Sequence, residues 1–394
     1  SRSIGDMPDV VGKNFAYDKQ KINGYILEEQ LGANLLTYQK LCEKYTYEKE
    51  IGLDEDYNYD RVKDGILPKL YNTSRTELLP NQPDIKIGMD SNFAIKENTI
   101  EKNENNSISM LLEIDNPKEL LIVNLQIENM DIKILKNNTL DGITYLEVKG
   151  TPKKYYDSYM ISKINYIENN ETKEEDLNVK IEAQFYKELY TYEDWQAIEA
   201  GTYQNYKLLG DIDFTGKTDI NKNVTMARLE SNGKALKNIE INADSDYSGL
   251  VKEITITLKG VKFENIKVTA DRAINYLGVI ANCKASVDDI EFKQIVIETN
   301  GNSQSSYVGC IANTSGDIMK NVVLDDINIK GRNYVAGLVA RNDMGLDTIT
   351  AKKVIINATG SNVGGLVTLS NMYKTFINLE VEDSEISGTN YVGG

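Results

Sequence analysis

The chain has 394 residues, 41% hydrophobic and 26% charged, with 60 Asp and Glu against 44 Lys and Arg for a net charge of −16, and it contains no histidine. Without histidine the usual general base near neutral pH, the orienting member of serine and cysteine triads and most zinc sites are excluded, which leaves carboxylate chemistry, lysine chemistry or none. The acidic balance, with no long basic run to offset it, argues against nucleic acid and anionic membrane as partners.

Residues 1–84 carry the weakest pattern. Leu35 to Glu50 suits a short helix, Val62 to Leu70 reads as the exit from an earlier element, and Leu79-Pro80-Asn81-Gln82-Pro83 reads as a linker. Asp54, Asp56, Asn58 and Asp60 have the alternate-oxygen spacing of a calcium loop. Tyr59 stands at the sixth position and Gly65 at the twelfth, so an EF-hand is excluded and a solvated acidic loop is the favoured reading. No run of 18 apolar residues is present, and the N-terminus lacks the basic-then-apolar signature of a signal peptide.

Residues 85–188 alternate with period two. Ile108-x-Met110-x-Leu112-x-Ile114, Leu146-x-Val148, Met160-x-x-x-Ile164-x-Tyr166 and Val179-x-Ile181-x-Ala183-x-Phe185 are separated by turn dipeptides such as Asp141-Gly142 and Asn169-Asn170. About seven strands in about a hundred residues predict an Ig-like β-sandwich. Tyr155, Tyr156 and Tyr159 suit cross-strand pairing within it.

Residues 189–394 repeat. Thr191 to Ile198 reads as a short helix with Thr191 as N-cap, covering an open core end with Trp195, and Tyr206 to Phe214 as the start of a first coil. An aromatic-small-Gly-aliphatic phrase then recurs at lead positions 247, 276, 307, 334, 362 and 391, which are 29, 31, 27, 28 and 29 apart. Between the phrases lies Val261-x-Phe263-x-x-Ile266-x-Val268, echoed at Ile290 to Ile297 and Val322 to Ile329. Period two, one extra residue, then period two again describes two short strands joined at a corner. The prediction is a parallel β-helix (solenoid) of about 29-residue coils, in which five coils rise about 24 Å at roughly 4.8 Å each. Residues 347–360 fit less well, because Thr350-Ala351-Lys352-Lys353 interrupts the apolar pattern, and predict a bulged or surface-bent coil. The sequence ends inside a glycine phrase, which reads as an excised segment of a longer protein whose next coil would cover the last edge.

The fold class is therefore mainly β, and no residue is assigned a catalytic, cofactor-binding or metal-ligating role. Asp211 and Asp213 alternate about Ile212 and offer a carboxylate pair for glycoside chemistry, against the commoner reading as strand-end acids. Tyr276, Tyr307 and Tyr334 share one repeat position and predict a stacked ladder; Cys283 aligns with Thr314 and Cys310 with Val279, so no ladder disulfide is expected, and an odd third cysteine, Cys42, stands apart.

The phrases Asn333-Tyr334-Val335-Ala336-Gly337-Leu338-Val339-Ala340 and Ser361-Asn362-Val363-Gly364-Gly365-Leu366-Val367 resemble the GLUG-type repeats of large Gram-positive surface proteins. The stretch Tyr192 to Trp195 through Tyr206 to Phe214, followed by Leu236 to Ile241, is similar to the opening of the β-helical region that precedes the catalytic domain in streptococcal-type IgA1 proteases and related zinc metalloproteases. Gly65 to Leu70 resembles the tail that closes such repeat blocks, which makes residues 1–84 the end of a preceding block. The resemblance implies a non-catalytic segment of a secreted or wall-attached protein, without cofactor. Its partners would be other domains of the same parent chain and a host protein, immunoglobulin A among them, or a host glycan. The alternatives are an adhesin binding through the solenoid flank and a carbohydrate-active β-helix using Asp211 and Asp213. The family's zinc ligands have no counterpart in these residues.

Overall fold

A computed structural model describes residues 92–393 apart from 104–105, 300–306 and 372, together with short strands farther upstream. The chain divides into two compact units, Ser1–Ala94 with Asp115–Glu119, and Ile95–Ile114 with Leu120–Gly394. In the first, Phe15–Tyr17 pairs in parallel with Asn34–Leu36, and Tyr59–Asp60 pairs antiparallel with Lys69–Leu70. The helix expected from Leu35 thus starts in a strand; its remainder, the proline linker and the other acids of the calcium-like loop lie outside the described residues.

The described residues are 68% strand and 2% helix, so stacked and paired strands carry the core. Within the second unit, seven strands make two sheets. One has the order Met130–Leu140, Ile143–Pro152, Ile108–Asp115, Ala94–Lys102, and the other Glu171–Glu182, Ser158–Glu168, Leu121–Ile127. Two hairpins are built on the predicted dipeptides: Asp141 and Gly142 both have positive φ, as do Asn169 and Asn170, which matches the turn twist to that of the strands. Ile108, Met110, Leu112 and Ile114 are all buried, as read from the alternation. Met160 is not, because the register shifts between Ile161 and Lys163; the inward set is Tyr159, Ile161, Ile164 and Tyr166.

From Lys187 onward the chain winds into a parallel β-solenoid of about six turns. Pairing begins earlier than the sequence indicated: Lys187–Leu189 lies parallel to Asn205–Leu208, which in turn pairs with Val224–Asn242. Thereafter Val251–Ala270, Ser286–Thr299, Ile318–Gly331 and Gly345–Ala358 stack in parallel register. The core columns are those of the repeat. Phe263, Phe292, Leu324 and Ala351 form one and Ile266, Ile295, Ile327 and Val354 another, all of them buried.

The extra residue between the two alternating runs is a left-handed corner. Asn238, Asn265, Gln294, Asp326, Lys353 and Asp383 occupy it with φ from 46° to 62°, a region where Asn and Asp are least penalised. Gly260, Asp289, Asn321, Thr348 and Asn378 form a second such column with φ from 52° to 65°. The bulge expected at 347–360 is absent. Ile349-x-Ala351-x-x-Val354-x-Ile356 follows the template and is buried throughout, with Lys353 at the corner where its side chain leaves the core. A small residue at the aromatic position and a lysine at the Asn position hid the repeat.

The glycines of the recurring phrase are required by close backbone approach. A Cβ on Gly249, Gly278 or Gly337 would lie 2.4, 2.5 and 2.4 Å from the carbonyl oxygen of Gly278, Gly309 and Gly365 in the next coil.

Candidate functional site

Asp211 and Asp213 flank the buried Ile212, and both carboxylates are committed to the backbone and to the next coil. Asp211 accepts the Ala235 amide at 3.0 Å and lies 3.5 Å from Lys237; that amide first, then the lysine, lowers its pKa. Asp213 accepts the Thr215 hydroxyl at 2.6 Å, the Thr215 amide at 2.9 Å and the Asn238 amide group at 2.8 Å, which bring its pKa down to about 2. A general acid needs the opposite shift. Asn238 in turn accepts from Asn265 at 2.7 Å, which carries the chain of bonds from Asp213 into the following coil.

The tyrosine ladder forms and is longer than its predicted three members. Tyr247, Tyr276 and Tyr307 stack at centroid separations of 4.4 and 5.1 Å, and Tyr334 follows at 5.0 Å, tilted by 34° because it takes a left-handed backbone. Each inner ring is covered on its faces by its neighbours, which leaves edges and hydroxyls to solvent; Arg341 donates to the Tyr276 hydroxyl at 3.3 Å. Beside it runs a polar column. Glu253 accepts from Tyr203 at 2.6 Å, Asn282 at 2.5 Å and Lys284 at 3.0 Å, and Asn282 accepts from Asn313 at 2.8 Å. Burial pushes the Glu253 pKa up, but these bonds outweigh it and the group stays ionised.

Cys283 and Cys310 are buried free thiols at non-equivalent coil positions. Burial raises Cys283 to about 12 and raises Cys310 as well. Neither is expected to react with iodoacetamide at pH 8 in the native chain, whereas both label fully in denaturant, as peptide mass mapping will read. Cys42 lies outside the described residues.

The most concentrated polar constellation joins the seven-stranded region to the solenoid, and sequence reasoning missed it. Asp157 accepts from Arg228 Nε and Nη2, both at 2.9 Å through different oxygens, from Gln184 at 2.8 Å and from Asn205 at 3.0 Å. Arg228 also donates to Thr257 at 2.5 Å and lies 3.5 Å from Glu230, which accepts the Tyr186 hydroxyl at 2.8 Å. Burial raises the Asp157 pKa, and the donors, Arg228 foremost, more than reverse it. The tyrosines expected to pair across strands lie at this joint: the Tyr155 amide donates to Gln204 at 3.1 Å, its carbonyl accepts the Asn205 amide at 2.8 Å, and Tyr159 packs on Phe185 at 5.9 Å. Arg228 and Asp157 stand 71 residues apart, and no local pattern links them.

Among the described residues no group of three or more His, Cys, Asp or Glu is placed to hold a metal ion, and no helix is long and apolar enough to cross a membrane. A surface hollow of about 270 Å³ beside Tyr156, Tyr159, Glu128 and Lys180 is smaller than the usual enclosed ligand site. No family model, curated protein or solved structure matches the chain.

Proposed function

We propose that the chain is a non-catalytic positioning module of a large Gram-positive cell-surface protein, in the region that precedes the catalytic domain of an IgA1-protease-like zinc metalloprotease. It holds a neighbouring domain and its substrate or host partner at a fixed distance and angle outside the cell. The observation that carries this reading is the joint at Asp157 and Arg228. A four-donor carboxylate and a strand, Lys187–Leu189, that pairs directly into the solenoid make a stiff connection where a binding repertoire would tolerate a flexible linker. The division of the seven strands, first, second, fifth and fourth in one sheet and third, sixth and seventh in the other, is that of a constant-type Ig sandwich and supports the Ig-like reading. The helix Tyr192–Gln196, held by a Thr191 and Asp194 capping box, contributes the buried Trp195 to the solenoid's core cluster, which supports its role as a cap.

Spin labels placed one on the Ile143–Pro152 strand and one on the Ile318–Gly331 strand should give a narrow distance distribution. Asp157→Ala strands the Arg228 guanidinium, costs about 2 kcal/mol at the joint and should broaden that distribution. Because the folded pKa of Asp157 lies below its unfolded value of about 3.9, its contribution is complete above that pH and is lost as pH falls through the folded value, so acid should broaden the wild type in the same way. A broad distribution in the wild type at pH 7 would sink the positioning reading. Titration against IgA1 then separates a contact role from a purely spacing one.

A further inference from the structure

The strand Val224–Asn242 turns the Gly260-type corner differently from the coils that follow it. Gly260, Asp289, Asn321, Thr348 and Asn378 each make that corner with a single left-handed residue. In Val224–Asn242 the register instead passes from Glu230 opposite Lys259 to Lys234 opposite Val261, so Ser231, Asn232 and Gly233 stand against Gly260 alone. They lie directly on it, since a Cβ at Gly260 would collide with the Ser231 carbonyl oxygen. The loop closes through the Lys234 amide, which donates to the Ser231 hydroxyl at 2.9 Å, and through Gly233 at a φ of 72°. Asn232, Gly233 and Lys234 are exposed. The corner asparagines Asn238, Asn265 and Asn321 are followed by buried Ile239, Ile266 and Val322, and their side-chain amides donate to Asp213 at 2.8 Å, Asn238 at 2.7 Å and Asp288 at 2.9 Å. Asn232 is followed by glycine, and among the described residues its side chain has no hydrogen-bond partner.

We infer that Asn232 is a site of self-modification, at which the Gly233 backbone nitrogen attacks the side-chain carbonyl carbon and asparagine is slowly converted to aspartate and isoaspartate. The nitrogen–carbon bond forms, and the side-chain nitrogen leaves as ammonia with the proton that the Gly233 amide gives up, so that a succinimide remains. One water then opens the ring. Cleavage at the former side-chain carbonyl leaves aspartate, and cleavage at the main-chain carbonyl leaves isoaspartate. Glycine at 233 admits the attack because it carries no side chain to crowd the nitrogen, and the unbonded Asn232 side chain is free to turn toward it. At the corner asparagines a branched residue follows and the amide is held by the neighbouring coil, so the same chemistry is obstructed twice. The product carries a new anion beside Lys262, whose Cε lies 3.9 Å from where a Cβ on Gly233 would stand and whose present partner is Glu291 at 2.8 Å. Isoaspartate also lengthens the main chain of a loop that already rests on Gly260.

The full chain, incubated at mildly alkaline pH and sampled over time by peptide mass mapping, tests this. Asn232 should acquire the mass of the acid on the order of tenfold faster than Asn238, Asn265 or Asn321, and the converted peptide should accept a methyl group from a protein isoaspartyl methyltransferase. Gly233→Ala should slow the conversion by a similar factor. Because alanine is strained at the φ of Gly233, the two chains are also compared in denaturant, where only crowding at the nitrogen remains and the variant should still be the slower. Conversion at Asn232 no faster than at the corner asparagines, a product without isoaspartate, or equal rates for Gly233→Ala and the wild type would each overturn the inference.

Discussion

Gly278→Ala is expected to lower the stability of the solenoid by about 3 kcal/mol, read as a shift of the urea midpoint of its strand signal. The added methyl would sit 2.5 Å from the Gly309 carbonyl oxygen, 2.9 Å from that of Ile280 and 3.0 Å from that of Cys310. All three are backbone atoms, so relief requires coils to separate rather than a side chain to turn. The cost therefore falls on pairing between neighbouring coils, which is where a stack of repeats keeps its stability. Gly345→Ala is the control. Its methyl would meet nothing closer than 3.4 Å, in ordinary contact range, and its midpoint should move little. If the two variants shift alike, glycine is retained in the phrase for some reason other than coil spacing.

That phrase was the most legible feature of the sequence because its cause is local and repeats: where the backbone comes this close to the next coil, as at Gly249, Gly278 and Gly337, no Cβ fits. The corner was legible as an extra residue, although its left-handed conformation became visible only in the aligned column of Asn, Gln, Asp and Lys. The coil at 347–360 was misread since Ala351 and Lys353 satisfy the same geometry with different chemistry, a small core residue and a solvated corner. In the seven-stranded region the alternation identified the inward faces except at the bulge between Ile161 and Lys163, where one additional residue reverses the sides. The Asp157 and Arg228 joint was illegible for the opposite reason. Its partners come from different elements, and a carboxylate before a strand or an arginine within one is unremarkable until the fold brings them within 2.9 Å. The pairing of Lys293 with Asp325, 4.0 Å apart in the next coil, was equally illegible, because only registered strands set the two side by side.

Phe292→Ala should cost about 3 to 5 kcal/mol and should do so locally. The ring is fully buried, lies 5.1 Å from Phe263 at an interplanar angle of 12°, and is followed in its column by Leu324. Truncation leaves a space that Phe263 cannot enter without losing its own contacts below, where Leu236 fills the equivalent place. Phe292→Leu, which copies the residue one coil later, should cost roughly a third as much. The column tolerates Ala at 351, so small size is not forbidden there; what matters is a cavity opened between large neighbours after the coils have set their spacing. Because each coil touches only those beside it, amide exchange in Phe292→Ala should accelerate in Val251–Ala270, Ser286–Thr299 and Ile318–Gly331 while the Ile108–Asp115 strand keeps its protection. Uniform acceleration across both regions would mean that the seven-stranded region and the solenoid unfold as one cooperative block, and the joint at Asp157 would then be transmitting stability as well as orientation.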